Sequence, residues 1–186
     1  MDQDTQYLID VNQANLERVI GFVGVMDAKA KFVLTLVLAL TGYLVTQLSS
    51  FIDAHTRIDM MPPWAATLMI LLDLAAATCL AFFITAAIIA IRAIQPSTIR
   101  HTGKTSPLFF HTIADTSHEA FKQQMKTLLP NELIDLLADQ TYDNAKIVQQ
   151  KTQAVQRSMK TFFIGLACFF AFTIGRTIII GVFATP

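Results

Sequence analysis

Three long apolar blocks divide the chain and predict three membrane-spanning helices. The first block, residues 32–52, contains no charged residue. The second, residues 64–91, contains only Asp73, and the third, residues 161–183, contains only Arg176. Each block has about the 20 residues that a helix needs to cross the hydrocarbon layer. Buried helices of a soluble protein are the alternative, but three such runs in a short chain favour membrane spans.

The positions of Lys and Arg predict how the helices are oriented. Residues 1–31 contain three of these bases, residues 53–63 contain one, and residues 92–160 contain nine. Loops rich in Lys and Arg remain on the cytoplasmic side of a membrane. Residues 1–31 and 92–160 are therefore expected in the cytoplasm, with a multi-pass topology and a cytoplasmic N-terminus.

The polar segments beside the spans carry apolar residues at alternating spacings of four and three, which is typical of helices that pack along a seam. Residues 1–31 are predicted to form an amphipathic helix that continues into the first span. Its seam consists of Leu8, Asn12, Asn15, Val19, Phe22 and Met26. A second seam, which leads into the last span, consists of Leu137, Thr141, Asn144, Val148, Lys151, Val155, Ser158 and Phe162. These seams can join the two helices of one chain or pack copies of the protein side by side.

The rest of residues 92–160 reads as a loop followed by short helices. Residues 95–106 are polar and contain Pro, Gly and Ser, which favours a loop. Ser106-Pro107 fits a helix start, Thr116 to Glu119 fits a capping box, and Pro130 ends the preceding helix. The predicted fold class is all-α: a helical integral membrane protein with three transmembrane helices and cytoplasmic helical extensions.

Composition and charge narrow the possible functions. Hydrophobic residues make up 53% of the chain and charged residues 15%, against about 25% charged residues in soluble domains. The formal net charge is zero, which argues against a nucleic-acid partner. Cys79 and Cys168 lie within apolar blocks, so we interpret them as packing residues and not as a disulfide framework.

Catalytic and metal-binding patterns are incomplete. Gly103-Lys104-Thr105 resembles the end of a phosphate-binding loop, but the required earlier glycine is replaced by Thr98. His118-Glu119 begins like a zinc-protease helix, but Lys122 stands where the second histidine belongs. We therefore expect no enzymatic activity, no metal site and no cofactor.

Several short motifs, taken in order, resemble a known family. They are Asp27-Ala28-Lys29-Ala30 before the first span, Ser106-Pro107-Leu108-Phe109-Phe110 with Ile113-Ala114 after the loop, and the stretch from Asp139-Gln140 through Tyr142 and Asn144-Ala145-Lys146-Ile147 to Lys151. Over about residues 12 to 175 the chain resembles the transmembrane effector of bacterial Pycsar antiphage systems. Relatives are often credited with a fourth span, whereas this chain shows three apolar blocks.

The resemblance implies a function. A partner pyrimidine cyclase would make cyclic UMP or cyclic CMP on phage infection, and this chain would sense the messenger and impair the bacterial inner membrane. The infected cell would stop growing or die before the phage matures. Residues 92–160 would then be the sensor region, and the protein would act on membrane lipid as a homo-oligomer. The rival interpretation is a constitutive membrane adaptor that scaffolds a cytosolic partner and binds no nucleotide.

A cyclic nucleotide needs a cation for its phosphate, a ring for its base, and donors or acceptors for the edge of the pyrimidine. The candidate ligand-binding residues are Arg100, Lys104, Phe110, His111, Gln140, Tyr142, Asn144, Lys146 and Lys151. For Phe109 and Phe110 a role in the core is the favoured alternative. Asn12 and Asn15 are either edge readers or residues that set the register of the first seam.

Two groups of charges are candidates for coupling the sensor to the membrane. Asp27 and Lys29 precede the first span, and Asp27 is expected to pair with Lys151 or Arg157 because an acid is unfavourable beside the inner leaflet. Lys29 can alternatively serve as a simple anchor.

Within the spans, Asp73 lies about 28 Å from Arg92 along its helix, and Arg176 lies about 24 Å from Lys160. We expect an Asp73–Arg176 pair at the outer end of a latent pore, within or between subunits. The alternative is that each side chain reaches the outer headgroups separately.

Overall fold

The computed structural model describes residues 2–55, 62–96, 107–108 and 110–183, of which 48–55, 110–111 and 180–183 are described by their backbone alone. Five helices account for nearly all of these residues: α1 (Gln3–His55), α2 (Pro63–Ile94), α3 (Phe110–Asp115), α4 (His118–Thr127) and α5 (Pro130–Phe183). The predicted all-α class is confirmed for this part of the chain.

The helices α1 and α5 are much longer than a bilayer requires. They contain 53 and 54 residues, which correspond to about 80 Å each at a rise of 1.5 Å per residue. A hydrocarbon layer is about 30 Å thick, so each helix has length for a membrane-crossing part and a part in water. The single helix over Gln3–His55 confirms that the polar segment continues without a break into the first apolar block.

The chain forms two compact units. Unit 1 comprises residues 1–27 and 95–152, and unit 2 comprises residues 28–94 and 153–186. The chain passes from one unit to the other within α1, at the end of α2 and within α5.

Unit 2 is built on buried residues with a seven-residue repeat. In α2 the buried positions alternate strictly by four and three: Ala65, Met69, Leu72, Ala76, Cys79, Phe83, Ala86, Ala90 and Ala93. In α5 the same spacing joins Val155, Ser158, Phe162, Gly165, Phe169, Phe172 and Ile179, with Arg176 half-buried in register. Helices that keep such a repeat bury one seam by coiling gently around each other.

Small residues and aromatic rings alternate where α2 meets α5. The ring of Phe83 stacks on Phe162 at a centroid distance of 5.8 Å and lies 6.5 Å from Phe169. Gly165 lies between these two phenylalanines in the sequence, and a Cβ atom placed on it would come within 2.8 Å of the Phe83 ring. The hydroxyl of Ser158, fully buried, donates to the backbone oxygen of Ala86 at 2.8 Å. The two helices therefore approach closely enough to exclude a methyl group and to share a hydrogen bond.

Two of the described helices are long and apolar enough to cross a membrane. They are α2 over Pro63–Ile94 and α5 over Pro130–Ile179, and in both the most apolar window has 28% of its residues buried inside the chain. A core helix of a soluble protein would bury most of such a window, so the low burial favours contact with lipid. The third predicted span, residues 32–52, forms the second half of α1.

In unit 1, the seam predicted for α5 is confirmed, and the seam predicted for α1 is confirmed at four of its six positions: Asn12, Asn15, Val19 and Met26 are half-buried. Leu137, Asn144 and Lys151 of α5 are all buried or half-buried. In α1, however, Leu8 and Phe22 are exposed, and Ile9 is buried in their place. The buried face continues with spacings of three and four through Asn12, Leu16, Val19, Val23 and Met26. The observed face shares Asn12, Val19 and Met26 with the predicted seam, and at Leu8 and Phe22 the next residue, Ile9 or Val23, is the less exposed one.

Two helix starts differ by a few residues from their sequence predictions. The N-cap of α4 is Ser117 and not Thr116, since the Ser117 hydroxyl accepts a hydrogen bond from the backbone of Ala120. Pro130 does not end a helix but opens α5, where proline is favoured because the first helical residue needs no hydrogen-bonded N–H. The Glu132 side chain completes this start by accepting from the backbone of Leu129 at 3.0 Å.

We predict that Gly165→Ala destabilises unit 2 by about 1–2 kcal/mol. The new methyl group must displace the buried Phe83 ring, and overpacking of this kind costs about 1–3 kcal/mol. Gly42→Ala in α1 is the matched control because no atom lies within 4 Å of the added Cβ. Thermal unfolding of detergent-solubilised protein, followed by circular dichroism, measures both. An unchanged midpoint for Gly165→Ala would contradict the close approach of α2 and α5.

Candidate functional site

A buried ion pair lies at the centre of the candidate site in unit 1. The Lys151 ammonium of α5 donates to the Asp27 carboxylate of α1 at 2.6 Å and lies 3.4 Å from the backbone oxygen of Gln95. The Lys151 side chain is 8% exposed and that of Asp27 is 28% exposed. Of the two bases that the sequence offered to Asp27, the structure therefore pairs it with Lys151.

The three residues of this contact lie where the chain enters and leaves unit 1. Asp27 is the last residue of its first segment, Gln95 is the first residue of its second segment, and Lys151 is the next-to-last residue of that segment. Gln95 follows directly after the end of α2, where helix carbonyl groups lack partners within the helix and attract cations. One ammonium thus connects α1, the end of α2 and α5.

Two of the predicted amide side chains lie on the half-buried face of α5, which also carries Lys151. Gln140 donates to the backbone oxygen of Leu108 at 3.2 Å, and Asn144 donates to the backbone oxygen of Gln140 at 2.9 Å. Asn144 and Lys151 are seven residues apart, which corresponds to about 10.5 Å along the helix. The face therefore presents amides and a cation in line, with both amide nitrogens already bonded within unit 1.

A second pair of predicted residues lies on a different face of α5. The Lys146 ammonium is 5.4 Å from the centroid of the Tyr142 ring, within the range of a cation–π contact. Tyr142 is exposed. At about 100° per residue, Tyr142 and Lys146 point roughly opposite to Asn144 and Lys151. The structure therefore divides the predicted ligand residues of α5 into two faces, which a single nucleotide cannot contact together on one chain.

The remaining predicted residues are placed individually. Arg100 and Lys104 lie outside the described residues, and Phe110 and His111 begin α3, where only the backbone is described. Lys29 of α1 and Arg157 of α5 belong to unit 2 and are exposed.

Within unit 2, Arg176 has a hydrogen-bond partner that was not predicted from the sequence. Its guanidinium donates to the side-chain oxygen of Gln47 in α1. Asp73 is half-buried in α2. Gln47 could have been predicted as a polar partner inside the bundle. It is a long polar side chain in the first apolar block, and it continues the spacing of Val37, Leu40 and Leu44. An arginine at this depth needs polar partners inside the bundle, and an amide oxygen supplies one without a second charge.

A separate pocket of about 270 Å³ lies in unit 1. Among the residues that the structure describes, its lining contains one carboxylate and no base: Pro107, Thr112, Gln124, Thr127, Leu128 and Glu132. A phosphate group needs a cationic or backbone-amide partner, and the described lining side chains supply no cation. Across the described part of the chain, no group of three or more His, Cys, Asp or Glu side chains is placed to hold a metal ion.

Comparison with protein families identifies the chain. The family model described as the Pycsar effector protein domain, PycTM, matches residues 12–177. The chain belongs to this family. The match includes most of α1 and α5, all of α2, α3 and α4, and the Asp27–Lys151 contact. Neither the curated proteins nor the solved structures provide a match.

Membership of the Pycsar effector family implies a role as an antiphage effector and a cyclase partner system. Together with two helices of spanning length, it indicates that the protein is located in a membrane. Helices α1 and α5 each contribute to both units of the chain.

We predict that Asp27→Lys lowers the stability of the folded protein by about 3 kcal/mol and that adding Lys151→Asp restores most of the loss. Leaving one charge of a buried pair uncompensated costs about 3–5 kcal/mol, and the partial exposure of Asp27 favours the lower value. Chemical unfolding in detergent, with both single variants and the double variant, gives the coupling energy. If the double variant is no more stable than Asp27→Lys alone, the contact is not an ion pair in solution.

Proposed function

We propose that this protein is a messenger-gated effector that impairs the bacterial inner membrane during phage infection. Its activating ligand is cyclic UMP or cyclic CMP, made by a partner pyrimidine cyclase, and it acts without enzymatic turnover. The observation that carries the proposal is the family match over residues 12–177, which includes parts of both compact units. A match confined to the apolar helices would have supported only a membrane location.

The proposed topology has three spans and a cytoplasmic N-terminus. It adds residues 32–52 of α1 to the two helices that qualify as spans. Its support is that Val33, Val37 and Leu44 are buried in unit 2 in the same core cluster as residues of α2 and α5. The nine Lys and Arg residues within 92–160, against one within 53–63, favour a cytoplasmic position for the residues between α2 and the membrane part of α5.

The proposed ligand site uses the half-buried face of α5. Lys151 supplies the cation for the phosphate, and Gln140 and Asn144 supply the amides that read the pyrimidine edge. Tyr142 and Lys146, on the other face, are available to a nucleotide that is held between two copies of the chain, which agrees with a homo-oligomer. Arg100, Lys104, Phe110 and His111 complete the proposed set of ligand-binding residues.

The proposed output lies in the membrane part of unit 2. Asp73 and Arg176 form an ion pair, within or between subunits, at the outer end of a pore that is closed at rest. The hydrogen bond between Arg176 of α5 and Gln47 of α1 supports a polar role for Arg176. With the proposed pair to Asp73 of α2, the guanidinium would bind side chains of both other long helices. Intramembrane ionisable residues commonly pair with each other or line water.

We predict that the purified full chain, reconstituted in dye-loaded vesicles, releases dye only when cyclic UMP or cyclic CMP is added. The vesicles consist of phosphatidylethanolamine and phosphatidylglycerol, and the linear nucleotides UMP and CMP serve as controls. A ligand shifts the closed state only through its higher affinity for the open state, so release should saturate with messenger concentration. Leakage without ligand, or none with either messenger, would contradict the proposal and favour a constitutive adaptor.

We predict that Asp73→Arg and Arg176→Asp each alter messenger-dependent release, and that combining them restores the wild-type response. Each single reversal places two like charges in the low-dielectric interior, whereas the double variant recreates an attractive pair. Trp64→Phe, at the start of α2, is the control for general disturbance of that helix. A double variant that behaves no better than either single reversal would show that Asp73 and Arg176 do not interact.

A further inference from the structure

The buried ion pair leaves Lys151 without easy access to any second anion. Its side chain is 8% exposed, and its ammonium is held by the Asp27 carboxylate at 2.6 Å. Yet an ammonium at this position cannot remain in the interior without an anionic partner. Any other anion that binds Lys151 must therefore take the place of Asp27.

Asp27 is the partner that can leave. With 28% of its side chain exposed, against 8% for Lys151, the carboxylate needs only a small movement to become hydrated. The phosphodiester of a cyclic nucleotide carries one negative charge, as the carboxylate does. Exchange of one for the other keeps the pair neutral, and the buried ammonium is compensated before and after.

We infer that Asp27 is a built-in competitor that occupies the phosphate position at Lys151 in the resting protein. This inference rests on the proposed function, since it takes a cyclic pyrimidine nucleotide as the incoming anion. The carboxylate holds α1 against α5 until a phosphate monoanion displaces it. Displacement separates the two helices within unit 1 and leaves Lys151 bound to the ligand.

The competition supplies the differential affinity that gating requires. In the closed state the ammonium is occupied, and in the open state it is available, so the ligand gains its phosphate contact only in the open state. The position of the contact fits this role. Asp27, Gln95 and Lys151 each lie within two residues of a point where the chain passes between units 1 and 2. The contact therefore lies beside all three passages of the chain.

The inference predicts opposite effects for the two partners of the pair. Asp27→Asn removes the competing charge and keeps the size of the side chain, so the messenger concentration for half-maximal dye release should fall at least tenfold. Lys151→Met removes the phosphate partner and keeps an unbranched chain, so that concentration should rise at least tenfold. A merely structural ion pair would shift both variants in the same direction.

The experiment is a titration of cyclic UMP and cyclic CMP on vesicles that contain wild-type protein, Asp27→Asn or Lys151→Met. Asp10→Asn, an exposed acid of α1, and Lys122→Met, an exposed base of α4, are the matched controls and should behave as wild type. A wild-type protein that ignores both messengers overturns the proposed function, and this inference with it. A responsive wild type with Asp27→Asn unchanged, or with both variants shifted alike, overturns the inference alone.

A second measurement covers the case in which a variant fails to fold. Spin labels at Glu17→Cys of α1 and Gln149→Cys of α5, both exposed and both in unit 1, report the separation of the two helices in protein with Asp27 and Lys151 intact. Cys79 and Cys168 are replaced by Ala beforehand. The separation should increase when the activating messenger is added, and an unchanged distance in a protein that releases dye would overturn the inference.

Discussion

A seven-residue spacing of buried side chains is the constraint on which the rest of the structure depends. In α5 it runs from Leu137 to Ile179, first through unit 1 and then through unit 2, without a shift in phase. Such a stripe keeps the same side of the helix against its neighbours over its whole length. The stripe is apolar except for Arg176 where the helix is predicted to lie in lipid, and it contains Thr141, Asn144 and Lys151 in unit 1. The spacing of the stripe is therefore the same in both units, and only the proportion of polar side chains in it differs.

The polar members of the stripes join the helices in different ways. Ser158 bonds to a backbone oxygen of α2, Lys151 forms an ion pair with Asp27, and Arg176 bonds to an amide of α1. Leucine and lipid tails are alike in polarity, so apolar packing alone holds membrane helices together weakly, and small residues and polar bonds contribute much of the specificity. The hydroxyl bond is neutral, whereas the ion pair joins two opposite charges.

The long helices were predictable because residues 3–55 and 131–183 contain no proline and because their apolar blocks have the length that a bilayer requires. The seam of α5 was predictable because its positions from Leu137 to Phe162 recur at alternating spacings of four and three. The sequence left Lys151 and Arg157 open as partners of Asp27, and the structure decides between them because Lys151 is buried and Arg157 is exposed. The seam of α1 was predicted wrongly only at Leu8 and Phe22, because the apolar residues that follow them, Ile9 and Val23, fit the same alternation of three and four. Only contact with other helices selects between them. The contact between Lys151 and Gln95 uses a backbone oxygen, and no pattern of side chains predicts such a contact.

The close approach at Gly165 limits how the membrane helices can move. Three residues before this glycine lies Phe162, and four residues after it lies Phe169, both on the same side of α5. If α5 slid along α2 by one turn in either direction, a phenylalanine would arrive opposite Phe83, where even a methyl group does not fit. A piston-like stroke is therefore blocked in both directions. The helices can still separate or change their crossing angle. Both motions widen the space between them.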